Sequence, residues 1–166
     1  MFARVLAVAN RKGGTGKSTV AVNLAAELGA RGYHVLVADL DPQGHAGLGF
    51  GIEMPDASRT IHAAFRDEQV ELAGAICATS EPGVDLIAAD RNFDGRILLS
   101  DPRCLARAIA PIKPNYDVVL LDSPPVAANL SSAPCSPRRA CWCQPHSTIL
   151  HLMVCASSRD RITTLW

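Results

Sequence analysis

Four short, largely apolar runs punctuate the chain: Val5–Ala9, Tyr33–Ala38, Val84–Ala88 and Val118–Leu121. Each is nearly continuous rather than alternating, as in strands buried on both faces of a parallel sheet. They predict strands over about Val5–Asn10, Tyr33–Ala38, Val84–Ala88 and the residues leading to Asp122. Between the first two, Val20, Leu24, Ala25 and Leu28 recur at helical spacing and predict a helix over Gly16–Ala30, closed by Gly29 and Gly32. Ile61, Ala64 and Phe65 share a face of a mostly helical Thr60–Ala75, and Ile97–Ile112 reads as largely helical around Pro102. Gly44–Ser58 is glycine-rich and reads as a loop suited to a mobile switch. Strands alternating with helices predict an α/β fold, a parallel sheet with helices on both faces. His34, inside the second strand, is expected to be packed rather than to act as a ligand.

Chemistry enters at the first junction. Arg11-Lys12-Gly13-Gly14-Thr15-Gly16-Lys17-Ser18-Thr19 joins the first strand to the first helix. A glycine-rich turn there aims backbone N–H groups at one point, and the helix N-terminus adds partial positive charge, which suits phosphate. In such a P-loop, Lys17 reaches the β- and γ-phosphates and the Ser18 hydroxyl ligates their magnesium. The usual pattern needs glycine where Arg11 stands, and a second lysine, Lys12, precedes the glycine pair. The bland alternative is a glycine-rich turn with two solvated lysines.

Two carboxylate-bearing strand ends follow. The second strand runs into Asp39-Leu40-Asp41-Pro42-Gln43-Gly44, where Pro42 and Gly44 turn the chain and hold Asp41 on the same sheet edge as the P-loop. The fourth run ends in Asp122, as a Walker B element requires, and Ser123-Pro124-Pro125 follow it. Taken singly, Asp41 could be a turn-capping aspartate and Asp122 an ordinary strand end.

Lys-Gly-Gly-x-Gly-Lys-Ser with Asp-x-Asp-Pro-Gln-Gly-x-Ala and Leu-Leu-Asp-Ser-Pro-Pro resembles the ParA/MinD family of ATPases with a deviant P-loop. The switch segment is closer to the short ParA type (Soj-like) than to MinD. The resemblance covers about residues 2–130 and implies a P-loop NTPase fold, C-terminally truncated, with ATP and Mg2+ as cofactors. It implies that Gly13, Gly14, Thr15 and Gly16 wrap the phosphates and that Thr19 contacts the α-phosphate side. Lys12 would reach across a dimer interface to the partner's ATP. Ser18 and Asp122 would hold magnesium, and Asp41 would orient the attacking water or support the metal. The implied cycle is ATP-driven homodimerisation, non-specific DNA binding and hydrolysis stimulated by a partition adaptor protein, for chromosome or plasmid partitioning in the cytoplasm, on the nucleoid. The alternatives are a MinD-like membrane-cycling cell-division ATPase, which would need a basic amphipathic C-terminal helix, and an inactive truncated fragment.

Composition fits this class. The 166 residues are 48% hydrophobic and 19% charged with net charge +0, enough for one core. No apolar stretch approaches the ~18 residues of a membrane span, and the glycine loop comes too early to leave room for a secretory signal.

The text changes after Leu130. Ser131–Trp166 holds Cys135, Cys141, Cys143 and Cys155, both tryptophans, and prolines that break any helix or strand period. The genetic code offers an explanation. Shifted by one frame, Ala140 through Pro145 must read Leu/Val/Met, Leu, Val, Pro/Ser, Thr/Ala, similar to the family's Val-Leu-Val-Pro-Thr. Met153 into Val154 must read Gly, with Ala-Leu-Asp permitted before it. The domain expectation is an incomplete ATPase domain over 1–130 and an irregular, poorly ordered, out-of-frame tail over 131–166. The competing reading of the tail is a zinc site built from its four cysteines with His146 or His151, but Cys-x-Cys with irregular flanks fits zinc spacing poorly.

Overall fold

The computed structural model describes residues 3–10, 13–53, 55–67, 69–94 and 103–125, and the backbone of 151–155. Among them, β1 (Arg4–Ala9), α1 (Lys17–Ala30), β2 (Val35–Asp39), α2 (His45–Gly49), β3 (Ile76–Ala78), β4 (Val84–Ile87), α3 (Arg103–Ile109), β5 (Val118–Asp122) and β6 (His151–Cys155) follow in chain order. The strands form one sheet in the order β3-β4-β2-β5-β1-β6. The four inner strands pair in parallel, and β3 and β6 close the edges antiparallel.

All five residues of β2 are buried, because neighbours lie on both sides and helices or turns on both faces. Successive side chains alternate between two cores. Leu36, Ala38, Val119 and Ile87 pack with Ile61, Leu72, Leu105 and Ile109 on one face. Val35, Val37, Leu86, Val118 and Leu120 pack with Ala25, Ala46 and Phe50 on the other.

Helix α1 lies close to the sheet through small residues, Ala21, Ala25 and Gly29. A Cβ on Gly29 would sit 2.2 Å from the Pro82 carbonyl oxygen and 2.7 Å from Val84 Cγ2. Gly29 is therefore an interior contact, and the stop comes at Gly32. There Tyr33 N–H bonds the Leu28 carbonyl (3.1 Å) and Gly32 N–H bonds the Gly29 carbonyl (2.9 Å), a Schellman ending with Gly32 at φ 86°.

Several expectations are corrected. Thr60–Ala75 is not one helix but two 3-10 turns, Ile61–Phe65 and Leu72–Ala75. Between them the Asp67 carboxylate accepts the Gln69 N–H at 2.8 Å, and this local bond competes with helix propagation. Gly44–Ser58 is not all loop, since it contains α2. His34 is exposed rather than packed; its backbone N–H donates to Asp117 Oδ2 at 2.9 Å. Of the helix expected over 97–112, the described part is α-helical over Arg103–Ile109, and 97–102 lie outside the described residues.

β6 was not expected from the sequence of the tail. It pairs with β1 from Val5↔Cys155 to Ala9↔His151, giving the backbone groups along that edge of β1 their partners. The other tail residues, with Cys135, Cys141, Cys143 and His146 of the zinc reading, lie outside the described residues. No described helix is long and apolar enough to cross a membrane.

Candidate nucleotide and metal site

Strand order places β5 between β1 and β2, so Asp122 emerges between the turn after β1 and the segment after β2. Val8 and Asp39 are its register partners on either side. Ser123 fastens the β1 side beyond the strand: its hydroxyl donates to the Val8 carbonyl at 2.8 Å.

The turn after β1 is shaped by glycine. Gly14 and Gly16 have φ 69° and 81°, a region that disfavours other side chains. A Cβ on Gly13, Gly14 or Gly16 would meet no atom within 4 Å, so the loop leaves open space beside its backbone. Helix α1 begins at Lys17 with no side-chain cap and no acidic residue in its first turn. Its first N–H groups and partial positive charge are therefore left for an external anion. Lys17 is buried with 6% exposure, Ser18 is half-buried and Thr19 exposed. Lys12 and Arg11 lie outside the described residues.

Asp122 is fully buried, and neither carboxylate oxygen has a hydrogen-bond partner among the described residues. Burial, then repulsion from Asp41, pushes its pKa up to about 6, while Ser18, Lys17 and His45 favour the charged form. Ser18 is thus near enough to favour the charged carboxylate, though neither oxygen has a hydrogen-bond partner among the described residues. A desolvated carboxylate without donors costs several kcal/mol unless a cation joins it. The described residues hold no group of three His, Cys, Asp or Glu that could enclose a metal. The donor set fits a hydrated Mg2+ held by one carboxylate, one hydroxyl and a ligand's phosphates, the usual sparse protein coordination of that ion.

Asp39 is the residue that sequence reasoning left without a role. It is fully buried, and its carboxylate accepts the N–H groups of Asp41 (3.1 Å), Ala46 (3.1 Å) and Gly47 (3.3 Å). It therefore caps α2 from the end of β2 and sets the path of the segment between them. Burial first, then the charge of Asp122, raises its pKa to about 7. Its signal was its place two residues before Asp41 in the quoted motif.

Asp41 is 7% exposed, and its Oδ1 accepts the Gln43 N–H at 3.0 Å while its carbonyl accepts the Gly44 N–H at 2.8 Å. It does cap a turn, and that turn holds it near the strand ends that carry Asp39 and Asp122, close enough to raise the pKa values of both. The structure brings Gly13–Thr19, Asp41 and Asp122 to one sheet edge.

The chain is similar to known proteins in sequence and fold. A family described as an AAA domain matches residues 3–133. The chain belongs to the ParA/MinD family of ATPases. Among relatives of this ParA/MinD-type chain, the chromosome partitioning protein ParA of Caulobacter vibrioides is 40% identical over 129 residues, 74% of this chain and 48% of the relative. The sporulation initiation inhibitor protein Soj of Bacillus subtilis is 36% identical over 127 residues, 74% of this chain and 50% of the relative. A crystal structure of cobyrinic acid a,c-diamide synthase from Mycobacterium smegmatis, with bound ATP analog and magnesium, aligns at TM-score 0.68 and 36% identity, covering 78% of this chain and 54% of that one. The chain spans about half the length of the curated relatives it matches.

Proposed function

We propose that the chain binds ATP with Mg2+ at the β1–α1 turn and hydrolyses it in a cycle of dimerisation and non-specific DNA binding that serves chromosome or plasmid partitioning. The observation that carries the metal-nucleotide reading is the buried, partnerless carboxylate of Asp122 beside an uncapped helix and an open glycine loop. The similarity to ParA and Soj supports the partitioning role, and the ATP analog and magnesium in the M. smegmatis structure support the ligand.

In this reading the N–H groups of Gly13 to Thr19 hold the phosphates and Lys17 neutralises charge that grows on the leaving phosphate oxygens. Thr19 lies toward the α-phosphate. Ser18 and Asp122 hold the metal, which when bound draws charge from the phosphate oxygens. Asp41 orients the attacking water, and Asp39 keeps the Asp41 backbone and α2 in place. Lys12 of each subunit reaches the nucleotide of its partner in the homodimer. A partition adaptor protein stimulates turnover, and the protein works in the cytoplasm on the nucleoid.

Paired substitutions test the division of labour. Lys17→Ala should abolish both nucleotide binding and turnover, whereas Asp41→Ala should abolish turnover and retain binding. Equal loss of binding in both variants would remove the distinct role given to Asp41.

A further inference from the structure

His62 sits outside the phosphate-binding loop, yet it is bonded to the segment that carries Asp41. The residue is fully buried and uses both ring nitrogens. Nδ1 accepts the backbone N–H of Asp90 at 2.9 Å, so the ring proton resides on Nε2, which donates to the Leu40 carbonyl at 3.3 Å. Leu40 stands between Asp39 and Asp41.

The far side of this bridge is itself braced. The imidazole stacks on Phe93 at 4.1 Å between centroids and 20° between planes. The Arg66 guanidinium lies 5.3 Å over the same phenyl ring and pairs with the Asp90 carboxylate. Ile61 N–H also bonds the Ala88 carbonyl at 2.9 Å, tying the His62 turn to the chain beyond β4. Burial depresses the imidazole pKa to about 4, so the ring is neutral near pH 7 and the tautomer set by Asp90 persists. A buried imidazole needs partners for both nitrogens in any case, but here the partners stand on two different segments, Leu40 directly after β2 and Asp90 in the loop after β4, so the ring links them.

We propose that His62 is a positioning residue for Asp41, its imidazole bridging the Leu40 carbonyl and the Asp90 amide so that the switch segment after β2 is held in register with the loop after β4. This rests on the reading of Asp41 as the water-orienting carboxylate. Loss of the bridge frees the Leu40 carbonyl to rotate and lets the Asp41 turn fluctuate, while the phosphate-binding turn, built on β1 and α1, is untouched.

The test compares the full chain with His62→Phe, which keeps the stacking and removes both bonds, and His62→Gln, whose amide can donate to Leu40 in place of Nε2. Without nucleotide, hydrogen exchange at Asp41, Gln43 and Gly44 should quicken about tenfold or more in His62→Phe, with interior α1 amides unchanged and most of the effect reversed in His62→Gln. With Mg-ATP, His62→Phe should lower kcat about tenfold and leave KM within about twofold, because only alignment is lost. Unchanged exchange in the switch segment, a uniform rise that includes α1, or altered exchange with normal kcat would each overturn the proposal. If the unsubstituted chain binds no Mg-ATP, the nucleotide reading fails separately and the exchange pattern still decides the bridge. Should His62→Phe fail to fold, His62→Gln against His62→Asn carries the test. The Asn variant keeps only the acceptor toward Asp90 and should show the faster exchange and lower kcat; equal behaviour of the two would contradict the bridge.

Discussion

Asp39 and Asp122 are register partners on adjacent strands, both fully buried, yet they are solvated by the protein in opposite ways. Asp39 accepts three backbone N–H groups and holds the switch segment, while both oxygens of Asp122 lack a partner among the described residues. Two aspartates one strand apart are thereby separated into a structural cap and a carboxylate left open to an external cation.

That difference sets the expected behaviour of Asp122→Asn. With its pKa raised to about 6, Asp122 is more costly to ionise in the folded chain than in the unfolded one. Its contribution is present below the ordinary value of 3.8 and is lost as pH rises through about 6. At pH 8 without metal, Asp122→Asn should therefore be more stable than the parent by about 1–2 kcal/mol in urea unfolding. The same variant should lose the thermal shift that Mg-ATP gives the parent.

His62 predicts the opposite slope. Its folded pKa is lowered from 6.5 to about 4, chiefly by burial, with Asp90 and Asp41 favouring the charged ring and Arg66 opposing it. Stability from the neutral ring is present above pH 6.5 and is lost as pH falls toward 4. Relative to His62→Phe, the parent should lose about 1–2 kcal/mol across that window, read from urea midpoints at matched pH. Parallel curves for the two proteins would contradict it.

Gly29 and Gly32, three residues apart, should respond differently to alanine. Gly29→Ala drives a Cβ into the Pro82 carbonyl and should cost about 2–3 kcal/mol, since backbone must move. Gly32→Ala meets open space but must hold φ 86°, and about 1 kcal/mol is expected. Urea unfolding of both variants measures the difference.

The glycine turn after β1 and the carboxylate at the end of β5 were legible in the sequence because both features are local. Gly13 to Thr19 and Asp122 need only a strand end and a helix start, which apolar runs announce. Helix α2 was missed because its cap comes from Asp39, at the end of the preceding strand. The His62 region was read as a helix because Ile61, Ala64 and Phe65 repeat alike in one 3-10 turn and in an α-helix. β3 has three residues, too few for periodicity to decide, and β6 lies in a tail broken by prolines and depends on the edge offered by β1.

Residues 131–166 invite a test at the level of DNA. If they are read out of frame, the alternative frame from near Leu130 should stay open for many tens of codons and encode further strands and helices. A stop codon soon after that point would remove the explanation.

The proposed function requires a magnesium-assisted anion at the start of α1. Calorimetric titration of ATP into the chain, with and without Mg2+, tests it most directly. Saturable binding that needs the metal and disappears in Lys17→Ala is predicted; absence of any magnesium-dependent affinity for a nucleoside triphosphate would contradict it.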